Sequence, residues 1–196
     1  MKENKGVWMQ MGEHIEGRCW QELKPPYMTF VWAEDSKGLI GNAGTLPWNL
    51  PSDMKHFVKV TKGDVVVMGR KTYESIPNRP LKNRINIVLT NNKNYRADGA
   101  IICHSKQEVL DYIQENNIQK PIHVIGGTSL FEMFKDKVNV LYRTTIDASF
   151  EGDTYMPEID YKYFRCMEVE DGIIDEKNLY PHRFFVYERK KFVDLF

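Results

Sequence analysis

The chain has 196 residues, with 27 lysines and arginines against 27 aspartates and glutamates. That length suits one domain, and the balanced charge does not call for a nucleic-acid or anionic-membrane partner. Cys19, Cys103 and Cys166 are few, odd in number and far apart, which argues against a disulfide scaffold and for reduced thiols in a cytoplasm. His14, His56, His104, His123 and His182 show no metal-ligand spacing. No apolar run is long enough to span a bilayer.

Residues 1–27 carry charges throughout and end at Pro25-Pro26. They lack the apolar stretch of a secretory signal and read as an N-terminal extension ahead of a domain over residues 28–192. Met28 to Ala33 reads as a buried strand. Residues 35–50 are rich in Gly and Asn and predict a long loop, a length often reserved for functional lids. Pro51-Ser52-Asp53 has the chemistry of a first helical turn, and Met54, Phe57 and Val58 follow at helical spacing. A β-branched strand, Asp64 to Met68, breaks at Gly69 into a short helix over Arg70 to Ile76. Ile85 to Leu89 and Ala100 to Ile102 are strands. Ser105 with Glu108 forms a capping-box pattern. Ile122 to Ile125 is a strand that breaks at Gly126-Gly127 into a helix from Ser129 to Phe134. β-rich runs follow around 138–146, 163–170 and 182–190. Apolar strands alternating with helices predict an α/β fold. Its expected form is a single domain on a central, mixed, mostly parallel sheet of about eight strands, with helices on both faces and an antiparallel C-terminal edge.

Three strand-to-helix or loop-to-helix breaks could carry chemistry. At Gly69, Arg70, Lys71 and Thr72, free helix N–H groups and two cations suit a phosphate; a tight turn with solvated basic neighbours explains the same residues equally well. Gly126-Gly127 would let a pyrophosphate approach the backbone, but the pair is not the GxGxxG fingerprint and is also ordinary turn chemistry. Asp53 by itself reads as an acid that favours the helix dipole. Its company gives a second reading. Phe57 lies four residues on, and Trp48 and Met54 flank it. A carboxylate in such an apolar cleft is desolvated and its pKa rises.

At these residues the chain resembles the dihydrofolate reductase family, especially its bacterial chromosomal form, from about Met28 to Lys190. The motifs, in family order, include Gly38-Leu39-Ile40-Gly41, Leu46-Pro47-Trp48 with Leu50-Pro51 and Asp53, Val67 to Thr72 with Glu74-Ser75-Ile76, Arg79-Pro80-Leu81, Asn83 to Thr90, Ile125-Gly126-Gly127, Ile146-Asp147, and Glu151 to Tyr155 with Pro157. The resemblance implies NADPH-dependent reduction of dihydrofolate, serving one-carbon metabolism, by a cytoplasmic monomer without nucleic-acid or membrane partners or a metal. It implies that Asp53 holds the pterin, Trp48 closes the ring pocket and Thr144 orients Asp53. Val31, Trp32, Ala33, Met54, Phe57, Ser75, Ile76, Leu81, Ile125 and Phe131 would line the substrate pocket, and Arg84 would clamp the glutamate tail. For the cofactor it implies Gly69, Arg70, Lys71, Thr72 and Asn91 on the adenine side, Leu89 and Thr90 beside them, and Gly126, Gly127 and Thr128 at the pyrophosphate and nicotinamide. Ala33, Ile40, Gly41, Leu46, Ile125 and Phe131 would surround the nicotinamide, and the Gly-Gly bond would be cis. Phe131 stands where many members carry tyrosine, and Trp32 where many carry a small residue. The alternatives are a pterin or pyrimidine reductase of the same fold, such as that of riboflavin synthesis, and a non-catalytic nucleotide-binding module.

Overall fold

Met28–Glu34 forms β1, the strand on which the sheet is built. Its side chains alternate, so Phe30 and Trp32 enter one apolar core while Val31 and Ala33 point to the other face. The computed structural model describes residues 23–191; most of the expected extension, residues 1–27, lies outside them. After β1 come β2 (Leu39–Gly41), α1 (Pro51–Thr61), β3 (Val65–Gly69), α2 (Arg70–Ser75), β4 (Ile85–Leu89), β5 (Ile101–Cys103), α3 (Lys106–Glu115), β6 (Ile122–Val124), α4 (Thr128–Phe134), β7 (Val138–Ile146), β8 (Thr154–Tyr155), β9 (Phe164–Asp171) and β10 (His182–Arg189).

Eight of these strands make one sheet in the order β5-β4-β3-β6-β1-β7-β10-β9. The pairs from β5 to β7 are parallel, and β10 runs antiparallel to both β7 and β9. This is the expected mixed sheet with an antiparallel end. Val65 and Val67 of β3 join a core with α3 and α4, while Val66 and Met68 join a second cluster with Tyr73 of α2. Helices therefore cover both faces, which is why β3 is apolar at every position rather than at alternate ones. α3 starts as its sequence predicts. The Ser105 side chain accepts from the Glu108 N–H, and the Glu108 carboxylate accepts from the His104 N–H at 2.7 Å.

The 35–50 segment corrects the expectation of a loop without regular structure. Leu39–Gly41 pairs antiparallel with Thr154–Tyr155 in a separate two-stranded sheet. A three-residue strand leaves no alternation to read, so the sequence showed only its Gly and Asn. What holds it is Asp35, which is 3% exposed. One carboxylate oxygen accepts from the Lys37 and Leu39 N–H groups at 2.8 and 2.9 Å, and the other from the Phe150 N–H at 2.9 Å. Asp153 repeats the device from the facing segment by accepting from the Ala43 N–H. Gly152 permits the close approach: a Cβ there would lie 2.7 Å from the Gly41 carbonyl oxygen.

Burial acts to raise the Asp35 pKa, but the three amides and Lys37 outweigh it and hold the carboxyl below its ordinary 3.8. A depressed carboxyl stabilises the fold above the unfolded value, and that contribution is lost as pH falls through the folded one. Asp35→Ala should therefore cost about 2–4 kcal/mol at neutral pH, read from denaturant midpoints. The gap to the parent should narrow below about pH 4; a gap independent of pH would show that the charge is not what holds the segment.

Candidate active site

Leu50 precedes α1 as its N-cap without a side-chain cap, and Pro51 opens the helix. Proline suits this position because the N–H it lacks would have no helical partner. The Ser52 N–H is met by Asn178 Oδ1 at 2.7 Å, and the next residue, Asp53, turns inward and is 8% exposed. Across from it, Ala33 of β1 pairs with Thr144 of β7, which pairs with Phe184 of β10, so these three share the face that meets Asp53. Thr144, 3% exposed, hydrogen-bonds the Asp53 carboxylate. Trp48 closes the same region, with Leu50, Ile146, Ala33 and Phe150 around it; its ring lies 5.4 Å from that of Phe150. The Trp48 Nε1 is buried and has no acceptor among the described residues.

Burial pushes the Asp53 carboxyl above the ordinary 3.8, while the Thr144 hydrogen bond and the electrostatic influence of His182 act the other way and do not cancel it. His182 is a neighbour that the sequence gave no reason to select. It sits on β10, remote in sequence, with Nδ1 2.8 Å from the Tyr180 carbonyl oxygen and its ring edge-on to Phe184. Phe184 in turn stacks on His56 of α1 at 4.1 Å. Burial, with Lys59 nearby, lowers the His56 pKa against the pull of Glu170.

The other expected residues fall into two groups. Toward the C-terminal end of α1, Arg84 donates to Thr61 Oγ1 at 2.8 Å and lies 5.7 Å above the Phe57 ring. Ile76, Leu81 and Ile125 pack in one cluster with Tyr73 and Met68. Ser75 is exposed and donates to the Thr72 carbonyl oxygen. Met54 and Leu46 present their side chains at the surface, 49% and 48% exposed. Val31 is buried on the Asp53 face of β1, whereas Trp32 points to the opposite face, with its ring 6.3 Å from Phe131.

The second group gathers at the carboxyl ends of the adjacent strands β3 and β6. The Gly69 N–H donates to the Gly126 carbonyl oxygen at 2.8 Å, which joins the two breaks side by side. The Gly126–Gly127 peptide is cis, and Gly126 has φ 125, a conformation that favours glycine. A Cβ at Gly126 would meet Thr72 Oγ1 at 3.4 Å. The N-caps of α2 and α4, Gly69 and Gly127, offer no side-chain cap, unlike Ser105 of α3. Arg70 is in an i,i+4 ion pair with Glu74, half-exposed, and Lys71 and Asn91 are exposed. Leu89 is core, Thr90 accepts from the Asn92 N–H, Thr128 donates to the Tyr155 carbonyl oxygen, and Ile40 is half-buried beside buried Gly41.

The dihydrofolate reductase family model matches residues 27–189. The chain belongs to that family. It is 42% identical over 160 residues to a dihydrofolate reductase of Enterococcus faecium, covering 81% of this chain and 95% of that one. It is 40% identical over 163 residues to the Bacillus subtilis enzyme, covering 83% and 95%. Among solved structures, dihydrofolate reductase from Enterococcus faecalis, complexed with NADP(H) and RAB-propyl, matches with a TM-score of 0.79 and 41% identity over 84% of this chain and 97% of that one. No helix among the described residues is long and apolar enough to cross a membrane.

A carboxyl with a raised folded pKa contributes stability below its unfolded value and loses it as pH rises through the folded one. At neutral pH the buried charge of Asp53 is thus a liability that folding carries. Asp53→Asn should melt above the parent at pH 7, with the difference shrinking as the parent is acidified toward pH 4 and Asp53 becomes neutral. Thermal melts across that range check this; a variant less stable than its parent at pH 7 would contradict it.

Proposed function

We propose that this chain reduces 7,8-dihydrofolate to tetrahydrofolate with NADPH, and the observation that carries this is the buried, pKa-raised carboxylate of Asp53 in a chain whose β3 and β6 end in paired glycine breaks. The site fits the cofactor. Two adjacent helix starts without side-chain caps, a side-chain-free Gly126-Gly127 turn and the cations Arg70 and Lys71 make a donor set suited to a pyrophosphate. The half-exposed Arg70, with Asn91, is assigned to the 2′-phosphate, and Leu89 and Thr90 to the strand end behind them. Bound NADPH supplies the hydride that the pterin accepts at C6.

The chain's own residues do the rest. Asp53 takes the 2-amino group and N3 of the pterin in paired, charge-assisted hydrogen bonds and favours a proton at N5. The proton arrives by way of water at a site closed by Trp48, whose unpartnered Nε1 can hold that water. Thr144 fixes the carboxylate in orientation. Val31, Ala33, Phe57, Ile76 and Leu81 line the pocket, with Met54 and Ser75 at its rim, and Arg84 meets the α-carboxylate at its far end. Ile40, Gly41 and Leu46 on the 35–50 segment, with Thr128, Ile125 and Phe131, enclose the transfer point and exclude water. The enzyme acts as a cytoplasmic monomer over a domain of residues 28–192, with 1–27 an extension. A pterin or pyrimidine reductase of the same fold would not need Trp48 with Asp53.

Absorbance at 340 nm on mixing the protein with NADPH and dihydrofolate tests the assignment, and no decrease would end it. Asp53→Asn should lower kcat at neutral pH by about 100-fold or more while NADPH binding survives. In the parent, hydride transfer should slow as pH rises through the raised Asp53 value, because the substrate must gain a proton. That inflection should vanish in Asp53→Asn; an unaltered pH profile would remove Asp53 from the chemistry.

A further inference from the structure

On the sheet face opposite Asp53 lies a charged cluster that none of the proposed chemistry uses. Glu34, the last residue of β1, is 6% exposed. One of its carboxylate oxygens accepts from Trp32 Nε1 at 2.7 Å. The other accepts from Arg143 Nε at 2.8 Å and from Arg143 Nη2. The Arg143 guanidinium lies 5.3 Å above the Tyr161 ring, which packs 5.1 Å from Tyr187. The Glu34 carboxylate is buried and its Arg143 partner only half-buried; burying the carboxylate is expensive, and well-packed apolar residues in place of such pairs are often neutral or stabilising. Stability alone is therefore a poor reason for it.

Its connections suggest another reason. Glu34 fixes the Trp32 indole, and Trp32 abuts Phe131, whose ring also meets Phe30 edge-on at 5.0 Å. Phe131 is one helical turn beyond Gly127, and its N–H donates to the Gly127 carbonyl oxygen. The wall behind the glycine turn is thus set by the Trp32 orientation. On the other strand, Arg143 immediately precedes Thr144, the residue that holds Asp53, and it pairs in register with Trp32 as Thr144 does with Ala33. The cluster clamps the β1–β7 seam from the face opposite Asp53, with Thr144 next to Arg143 in the chain and Phe131 next to the Trp32 ring.

We propose that Glu34 and Arg143 are positioning residues that, through Trp32 and the β1–β7 seam, set the distance between the Asp53 pocket and the nicotinamide wall at Phe131. The inference rests on the reductase reading. Reacting atoms must be placed within a fraction of an ångström, and small displacements from remote sites slow chemistry without abolishing binding.

The test uses full-length Glu34→Gln, Arg143→Met, Trp32→Phe and the double variant Glu34→Gln/Arg143→Met. Single-turnover hydride transfer should fall about tenfold in Glu34→Gln and Arg143→Met. KM for dihydrofolate should stay within about twofold, and the isotope effect on kcat with 4-deuterated NADPH should rise. Trp32→Phe, which removes the indole donor together with part of the ring that meets Phe131, should change the rate in the same direction. In the protein without cofactor, the Trp32 indole N–H resonance should shift in Glu34→Gln. The double variant should regain the melting temperature of the parent and remain slow. Unchanged hydride transfer per folded molecule in Glu34→Gln and Trp32→Phe, or a double variant that regains rate together with melting temperature, would overturn the proposal. These two variants decide the matter even if Arg143→Met does not fold. A parent chain that fails to turn over would overturn the reductase reading and this inference with it, whereas an active parent with unaffected variants overturns this inference alone.

Discussion

The hydrogen bond between Thr144 and Asp53 joins the first turn of α1 to the central strands of the sheet, and it does so through a carboxylate kept out of water. A charge in that position is tolerated only with a partner. The partner is supplied by strand pairing, because Thr144 can face Asp53 only while β7 stays in register with β1 at Ala33. A slip of one residue would turn Thr144 to the opposite face and bring Arg143 or Thr145 beneath the helix. The parallel pairing at the centre of the sheet is thus a condition for the acid as well as for the core.

Both faces of that seam carry charge. On one face, burial lifts the Asp53 pKa; on the other, Glu34 is balanced by Arg143. Apolar residues at these positions would pack without any desolvation cost, so the chain holds groups there that folding does not require. Sites of this kind are where local rules of stability give way to function. The uncapped starts of α2 and α4 belong with them, since α3, which packs against β4 and β5 instead of the glycine turn, is capped in the ordinary way.

Much of the architecture was legible because its signals are local. The β-branched run at Val65 to Met68, the Ser105 cap and the proline at the start of α1 each name their element within a few residues. Asp53 was legible only in part: its place in the first turn could be read, whereas its burial depends on Thr144 and His182, which lie about ninety and one hundred thirty residues along the chain. The β2–β8 ladder was not legible at all. Its strands are too short to alternate, and what binds them is side-chain capture of backbone N–H groups by Asp35 and Asp153 across more than one hundred residues. Trp32 shows the opposite failure. The family resemblance put it beside the pocket, but the alternation of β1 turns its indole to the far side.

Helix α1 carries two of the groups assigned to the substrate, Asp53 near its start and, through Thr61 near its end, the guanidinium of Arg84. Eight residues of α-helix separate Asp53 from Thr61, a rise of about 12 Å. The helix therefore serves as a gauge: a molecule that reaches both groups must match its length, and one that is shorter satisfies only one end. Were both groups to hold one molecule, the length it must span would follow from the hydrogen-bonded pitch of a single element.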